Sequence, residues 1–327
     1  MNIINNILVI GNGFDIAHGL PTKYEDFLSF ISGGNNETWY NQNNIEVSRY
    51  VNRVGMIEYE KGLHFTNNYW YNYFIQQFNT SKHKSWINFE KEIGINIRIR
   101  STLFGDSNVV DDLSNWKGEL DKFTYCLNCY FCDVVNEKSV SVRLPDIIEN
   151  DFDYVMSFNY TNTYERLYGK IFDPLDKIQY SYVHGKAGES AELVLGCDNL
   201  LTEKNLLIAE TYSEEVAFEK MFQRTEKNTD KSFARWFSDV TEPFNLHIFG
   251  HSLGMTDRSL LIDLMLHPHS NIIIYYHSLE RRRSLIGNLI RMLGVENYSR
   301  KSSRIFFKQQ QEPIRWEEIK KELGYSS

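Results

Sequence analysis

The chain lacks any apolar run long enough to cross a bilayer, which excludes the helical membrane-spanning classes. It also lacks an excess of positive charge. Lys and Arg total 35 against 43 Asp and Glu, a formal net charge of −8, so no global attraction to nucleic acid is expected. Ahead of Ile7 there is no basic region, and no small-residue cleavage site follows. No secretory signal is therefore expected, and the chain reads as cytoplasmic. Cysteine is scarce: four residues fit a reducing compartment and not a disulfide framework. Internal repeats and low-complexity linkers are absent as well.

Two local concentrations invite special readings. Cys126, Cys129 and Cys132 lie three apart, but no fourth cysteine follows as an iron–sulfur run requires, and Cys197 stands alone where a zinc ribbon needs a second pair. The same spacing places small apolar thiols along one helical stripe, so core packing is the simpler reading and no metal is expected. Arg281-Arg282-Arg283 is the one basic run. A charged helical face accounts for it more simply than a phosphate tract.

What is present begins at Ile7-Leu-Val-Ile-Gly-Asn-Gly-Phe-Asp15. Four apolar residues, mostly β-branched, predict a buried strand. Gly11 and Gly13 let the backbone turn sharply and approach a ligand, and the turn's N–H groups can face a phosphate. Asp15 adds a carboxylate at the mouth of the turn, with a ribose hydroxyl as one candidate partner. The dinucleotide fingerprint G-x-G-x-x-G is incomplete, because Ile16 stands where the third glycine belongs. An acid some twenty residues on, at a second strand end, is also missing, since Glu25 and Asp26 fall in a predicted helix. An ordinary dehydrogenase is not indicated.

A chain of 327 residues accommodates one large α/β domain with an insertion. Thr22–Ile31 predicts a short helix with Thr22 as cap and Glu25 three residues later. Residues 35–150 are rich in Asn, Tyr and Trp at helical spacing and predict a helical insertion. Strand patterns then return at Phe152–Phe158, Ile178–Val183, Glu192–Leu195, Asn245–Phe249, Asn271–Tyr276 and Ser303–Phe307. Helical crossovers between them predict a mostly parallel sheet flanked by helices, a Rossmann-like α/β fold. Residues 1–34 and 151–327 would form this nucleotide-binding domain, with 35–150 inserted.

In an open parallel sheet, ligands bind beyond the carboxyl ends of the strands. The segments there are Gly11–Asp15, Asn159-Tyr160-Thr161-Asn162, His184-Gly185, Gly196-Cys197-Asp198-Asn199, Gly250-His251-Ser252 on to Asp257, and His277-Ser278. Each offers small, amide, hydroxyl or imidazole groups, and all would gather on one rim.

The block from Ile10 to Leu28, Gly-Asn-Gly-Phe-Asp followed by His-Gly-Leu-Pro-Thr-Lys-Tyr-Glu-Asp-Phe, resembles the signature of the bacterial AbiH family, linked to abortive infection by bacteriophage. Ser85–Glu90, Ser157–Thr161, Val183–Gly185 and Phe249–Asp257 resemble its later blocks in the same order. More distantly, the series Gly-x-Gly, Asn-Tyr, His-Gly and Gly-x-Ser is sirtuin-like. That likeness implies NAD as substrate, cleaved at its nicotinamide–ribose bond. By position it implies Gly11, Asn12 and Gly13 at the diphosphate, Asn159 at the ribose and reacting carbon, His184 as base and Ser252 at ribose or phosphate, with Phe14 and Asp15 of the same turn also in the expected binding set. Tyr160, Thr161, Gly185, Gly250, His251, Ser252 and Asp257 complete the expected binding set. Sirtuin-like chains usually carry an acid two residues after that Asn, where this chain has Thr161. The two-pair zinc module of the deacetylases is also missing, which argues against protein deacetylation.

Breaking an N-glycosidic bond to a cationic nicotinamide asks for a held ribose, excluded bulk water and one positioned nucleophile. The Asn159 amide offers both donor and acceptor. His184 can take a proton near neutrality, or simply hydrogen-bond a loop at a strand end. His251 and His18 are competing bases. Asp257 either orients a base or caps the helix Arg258–Leu266. Trp86 and Glu90, at i and i+4, either close the site from the insertion or pack. The leading expectation is an NAD-hydrolysing effector of phage defence. A nucleotide- or nucleic-acid-processing toxin on the same rim, and a non-catalytic nucleotide-sensing module, remain open. The partner expected is a small-molecule nucleotide, with a phage-derived trigger and a homo-oligomer left open, and neither membrane nor nucleic acid.

Overall fold

The computed structural model describes residues 4–32, 68–80, 89–103, 109–169, 177–188, 193–197, 214–229, 233, 236–237 and 240–322. The chain divides into two compact units: Met1–Leu20, Ser139–Val183 and Asp230–Ser327 form the first, Pro21–Lys138 and His184–Thr229 the second. The expected boundaries at 34 and 150 thus differ from the observed ones. The second unit also takes up residues 21–34 and 184–229, which the sequence analysis assigned to the nucleotide-binding domain.

The first unit is built on six strands: β1 (Asn6–Ile10), β2 (Tyr154–Ser157), β3 (Gln179–Tyr182), β4 (Phe244–Phe249), β5 (Ser270–Tyr276) and β6 (Ile305–Gln309). Their order is β3-β2-β1-β4-β5-β6, and every neighbouring pair is parallel. This is a Rossmann-like α/β fold. β1 sits in the middle, pairing Ile7 with both Tyr154 and Leu246, and Ile10 with both Ser157 and Phe249.

Its apolar run follows from that place. A central parallel strand is covered on both faces, so both alternating sets must be apolar. Ile7 and Val9 join one core with Met156, Ile248 and Ile272, whereas Leu8 and Ile10 join the other with Phe14, Val155 and Phe249. None of the four is more than 2% exposed. Each such side chain contributes roughly 1.5–3 kcal/mol relative to exposure.

One part of the sequence reading changes. Glu192–Leu195 is not a strand of the sheet. Its described residues belong to the second unit, where Leu195 exchanges hydrogen bonds with the Gln223 side chain and Cys197 bridges to Glu219. Near the carboxyl end, Ile314–Arg315 first pairs antiparallel with Val142–Arg143, and the final helix begins at Trp316.

Helices of the first unit include α1 (Asn12–Ala17), α6 (Arg258–Leu266) and α7 (Leu279–Leu293). Ser278 caps α7 by accepting from the Arg281 N–H at 3.1 Å. Arg282 and Arg283 are exposed, and Arg282 lies over the Tyr276 and Phe307 rings. The basic run is a charged helical face.

The second unit is helical, with α2 (Tyr24–Ser32), α3 (Tyr69–Thr80), α4 (Phe89–Leu103) and α5 (Val109–Tyr130). α2 opens with Asp26, not Glu25, reaching back to the Lys23 N–H at 3.0 Å. The aromatic stripe forms core: Trp70, Phe74, Phe89 and Phe123 are fully buried, with Phe74 and Phe89 stacked at 4.0 Å. Cys126 is buried and Cys129 and Cys132 half-buried along α5 and its continuation. Among the described residues no group of three or more His, Cys, Asp or Glu is placed to hold a metal ion. Among them, too, no helix is long and apolar enough to cross a membrane.

Candidate functional site

Strand order fixes where a ligand has room. After β3 the chain crosses β1 to lay β4 on its other side, so the connections leaving β1 and β4 diverge to opposite directions. The edge beyond their carboxyl ends is the switch point of the sheet, the place where open parallel sheets bind ligands. The segments there are Gly11–Asp15 and Gly250–Asp257.

These segments interlock. The Gly11 N–H donates to the Phe249 carbonyl at 3.1 Å, the Gly13 N–H to the Gly250 carbonyl at 2.9 Å, and the Phe14 N–H to the Gly11 carbonyl at 2.8 Å. A Cβ on Gly11 would lie 2.7 Å from the His251 Cα, and one on Gly13 2.7 Å from the Gly250 Cα. Gly250 has φ +69°, and a Cβ there would run into the Phe14 nitrogen. Close approach is therefore the reason for these glycines, but it is made to the neighbouring loop. The three amides are occupied by protein carbonyls, so they do not form the phosphate cradle that the sequence suggested. Asn12, in the same turn, is exposed.

Asp15 lies on α1 and is 1% exposed. Its Oδ2 accepts from the Thr161 hydroxyl at 2.7 Å, and Thr161 Oγ1 lies 3.0 Å from the Thr163 hydroxyl. Its Oδ1 is buried and has no hydrogen-bond partner. Burial pushes the carboxyl up to about 6, against the opposing pull of Thr161, Thr163, the Arg166 charge and Asn159. Asn159 ties β2 to the same turn, its Nδ2 donating to the Gly11 carbonyl at 3.0 Å. Tyr160 is buried beside it in the chain.

Three further groups here escaped the sequence reading. Glu165–Gly169 is a single π-helical turn that carries Glu165 and Arg166, and such turns concentrate at functional sites. Tyr182, at the end of β3, is hydrogen-bonded to Glu165. Burial pushes its phenol far above the usual range, with Glu165, Tyr180 and Asp15 reinforcing the shift. No periodicity signals a π-turn, which is why the pair went unseen.

The histidines divide by partner. His251 Nδ1 accepts from the Leu253 N–H at 3.0 Å, so Nε2 carries the proton and donates to Asp257 Oδ2 at 3.2 Å. Both ring nitrogens are engaged, which removes His251 as a free base. Asp257 orients this imidazole and makes no side-chain capping bond to α6. The pair holds Leu253 at φ 55°, a left-handed conformation that costs a non-glycine residue roughly 1–3 kcal/mol. Ser252 is half-buried, and its carbonyl accepts from Asn288 of α7 at 2.8 Å.

His18 is similarly engaged. Tyr168 accepts from the Leu144 N–H at 2.9 Å and donates to His18 Nε2 at 2.7 Å, while Nδ1 donates to the Phe14 carbonyl at 2.7 Å. Burial holds its pKa down to about 4, so it is neutral.

His184 and Gly185 belong to the second unit, as does Glu90. His184 is 4% exposed and its carbonyl accepts from the Val194 N–H at 2.9 Å. Gly185 has φ +84°, a conformation that suits glycine. Glu90 forms an ion pair at 2.7 Å with Lys220, itself 1% exposed. Trp86, Asp198 and Asn199 lie outside the described residues.

Residues 7–277 match the family described as bacteriophage abortive infection AbiH. The chain belongs to the AbiH family. The match takes in both loops of the switch point, the Asn159–Thr161 segment and His184. Membership supports a role in bacteriophage abortive infection. No curated protein matches the chain.

Proposed function

We propose that this AbiH chain acts in phage defence by hydrolysing NAD at its nicotinamide–ribose bond. The observation that carries the proposal is the position of Asp15. It is a buried carboxylate with one oxygen unmet, set at the crossing of a six-stranded parallel sheet whose order is that of dinucleotide-binding folds. A nucleotide's ribose supplies hydroxyl donors suited to such an oxygen. The Asn159 amide, fixed at one end by the Gly11 carbonyl, takes the place at the reacting ribose that the sirtuin-like series implies. His184 takes the role of base that the sirtuin-like series implies. Loss of the dinucleotide pool then ends growth of the infected cell.

The test is free nicotinamide released from NAD by the purified full chain, with and without lysate of phage-infected cells. General-base catalysis contributes about 10²–10⁴-fold, so His184→Ala should lower turnover by that order. Asn159→Ala should lower it as well. Absence of nicotinamide under every condition rejects the hydrolase. Cleaved nucleotide or nucleic acid with NAD intact redirects the proposal to a different scissile bond.

A further inference from the structure

The hydroxyl chain beside Asp15 has a direction. A threonine hydroxyl carries one proton, and that of Thr161 goes to Asp15 Oδ2. Thr161 Oγ1 must then accept from Thr163, whose hydroxyl lies 3.0 Å away. Thr161 and Thr163 are 1% and 0% exposed, so the arrangement is fixed by packing. It pins one carboxylate oxygen and leaves Oδ1 unmet. An unmet buried polar atom is costly, the more so when charged. An ionised carboxylate only accepts, so whatever fills this position must present a donor.

We infer that Asp15 Oδ1 accepts a hydroxyl of the adenosine ribose of the bound nucleotide, so that the site selects a free diol there over a 2′-phosphorylated one. This rests on the nucleotide reading proposed above and names its substrate class. A phosphate in place of the hydroxyl would bring acceptors and negative charge against an acceptor that is itself an anion. Thr161 and Thr163 are positioning residues. The groups around the carboxylate are Arg166 from the π-turn, which favours the anion, Tyr182 from β3 with its partner Glu165, and the Asn159 amide. With its carboxyl raised to about 6, Asp15 is mostly ionised at pH 7.5 and mostly protonated at pH 5. Protonation turns the same position from acceptor to donor.

The test is calorimetric titration of the full chain with ADP-ribose and with 2′-phospho-ADP-ribose. At pH 7.5, ADP-ribose should bind at least about 10-fold more tightly, equivalent to about 1.4 kcal/mol. The preference should shrink at pH 5, and Asp15→Asn should reduce it to within about 3-fold. Thr161→Val, which unpins the carboxylate without removing it, should weaken ADP-ribose binding and leave the far-ultraviolet spectrum unchanged. Equal affinity for the two ligands, or a preference that survives in Asp15→Asn, overturns the inference and leaves the nucleotide site standing. Failure to bind either ligand rejects both.

Discussion

The Cα of Gly250 packs against the backbone of Gly13, so close that a Cβ on Gly13 would lie 2.7 Å from it. The loops after β1 and β4 are thereby one interlocked piece. Gly13→Ala and Gly250→Ala should each cost several kcal/mol, because backbone faces backbone and no side chain can move aside. Gly250→Ala is also strained at φ +69°. Thermal denaturation followed by circular dichroism checks this. By contrast, Gly19→Ala meets open space and should show only the strain of its φ +72°.

Asp15→Asn should stabilise the chain at neutral pH. The folded-state pKa of Asp15, about 6, lies above the ordinary 3.8, so the folded protein binds the extra proton between those values. Its contribution is favourable below pH 3.8 and is lost as pH rises through 6. A displacement of about 2 pH units corresponds to ~3 kcal/mol. Urea unfolding should therefore show Asp15→Asn more stable by up to ~3 kcal/mol at pH 7.5, with the gap closing near pH 4. A variant less stable than wild type at pH 7.5 contradicts this account.

His18 and His247 act with the opposite sign. Burial holds each near 4, below the ordinary 6.5, so stability present above 6.5 is lost as pH falls towards 4. Over that window the gain from Asp15 partly offsets the loss. Asp15→Asn should accordingly show a steeper acid loss than wild type, read from urea midpoints between pH 7 and 4.5.

His251→Ala should cost about 2–3 kcal/mol, since it leaves Asp257 unpartnered by the imidazole and releases Leu253 from its left-handed turn. Asp257→Asn, which still accepts from Nε2, should cost less than about 1 kcal/mol. Chemical denaturation measures both. Equal losses would mean that charge, not orientation, links the pair.

Glu90→Gln should destabilise the helical unit by about 3–5 kcal/mol, because it strips the buried Lys220 of its counter-charge. Lys220→Met combined with Glu90→Gln should recover most of that loss. A Glu90→Gln protein with unchanged unfolding midpoint would return this residue to a role at a ligand.

Much of the first unit was legible. β1, β2, β3, β4, β5 and β6 each carried apolar or β-branched runs ending in polar turns, and their parallel direction followed from helical crossovers. Glu192–Leu195 misled because a short apolar run is equally at home against Gln223 and Phe218. At the candidate site, Asp15, Asn159 and Thr161 were found because chemistry and strand end coincide in the sequence. Glu165 and Arg166 were not, because a π-turn leaves no periodic trace, and Tyr182 was read only as part of the strand Ile178–Val183. The Gly11 and Gly13 signal was real but ambiguous. Glycine marks close approach without saying whether a ligand or another loop makes it.

The crossing of the sheet also sets a clock. Asn6 at the start of the chain and Asn245 in β4 are side-by-side partners although 239 residues separate them. At roughly 5–20 residues per second of synthesis, the first strand waits tens of seconds for its second neighbour. Until β4 leaves the ribosome, the Gly11–Asp15 bend lacks the Gly250 loop with which it interlocks. A growing polypeptide therefore carries no interlocked pair of loops at the crossing of the sheet until β4 has been made.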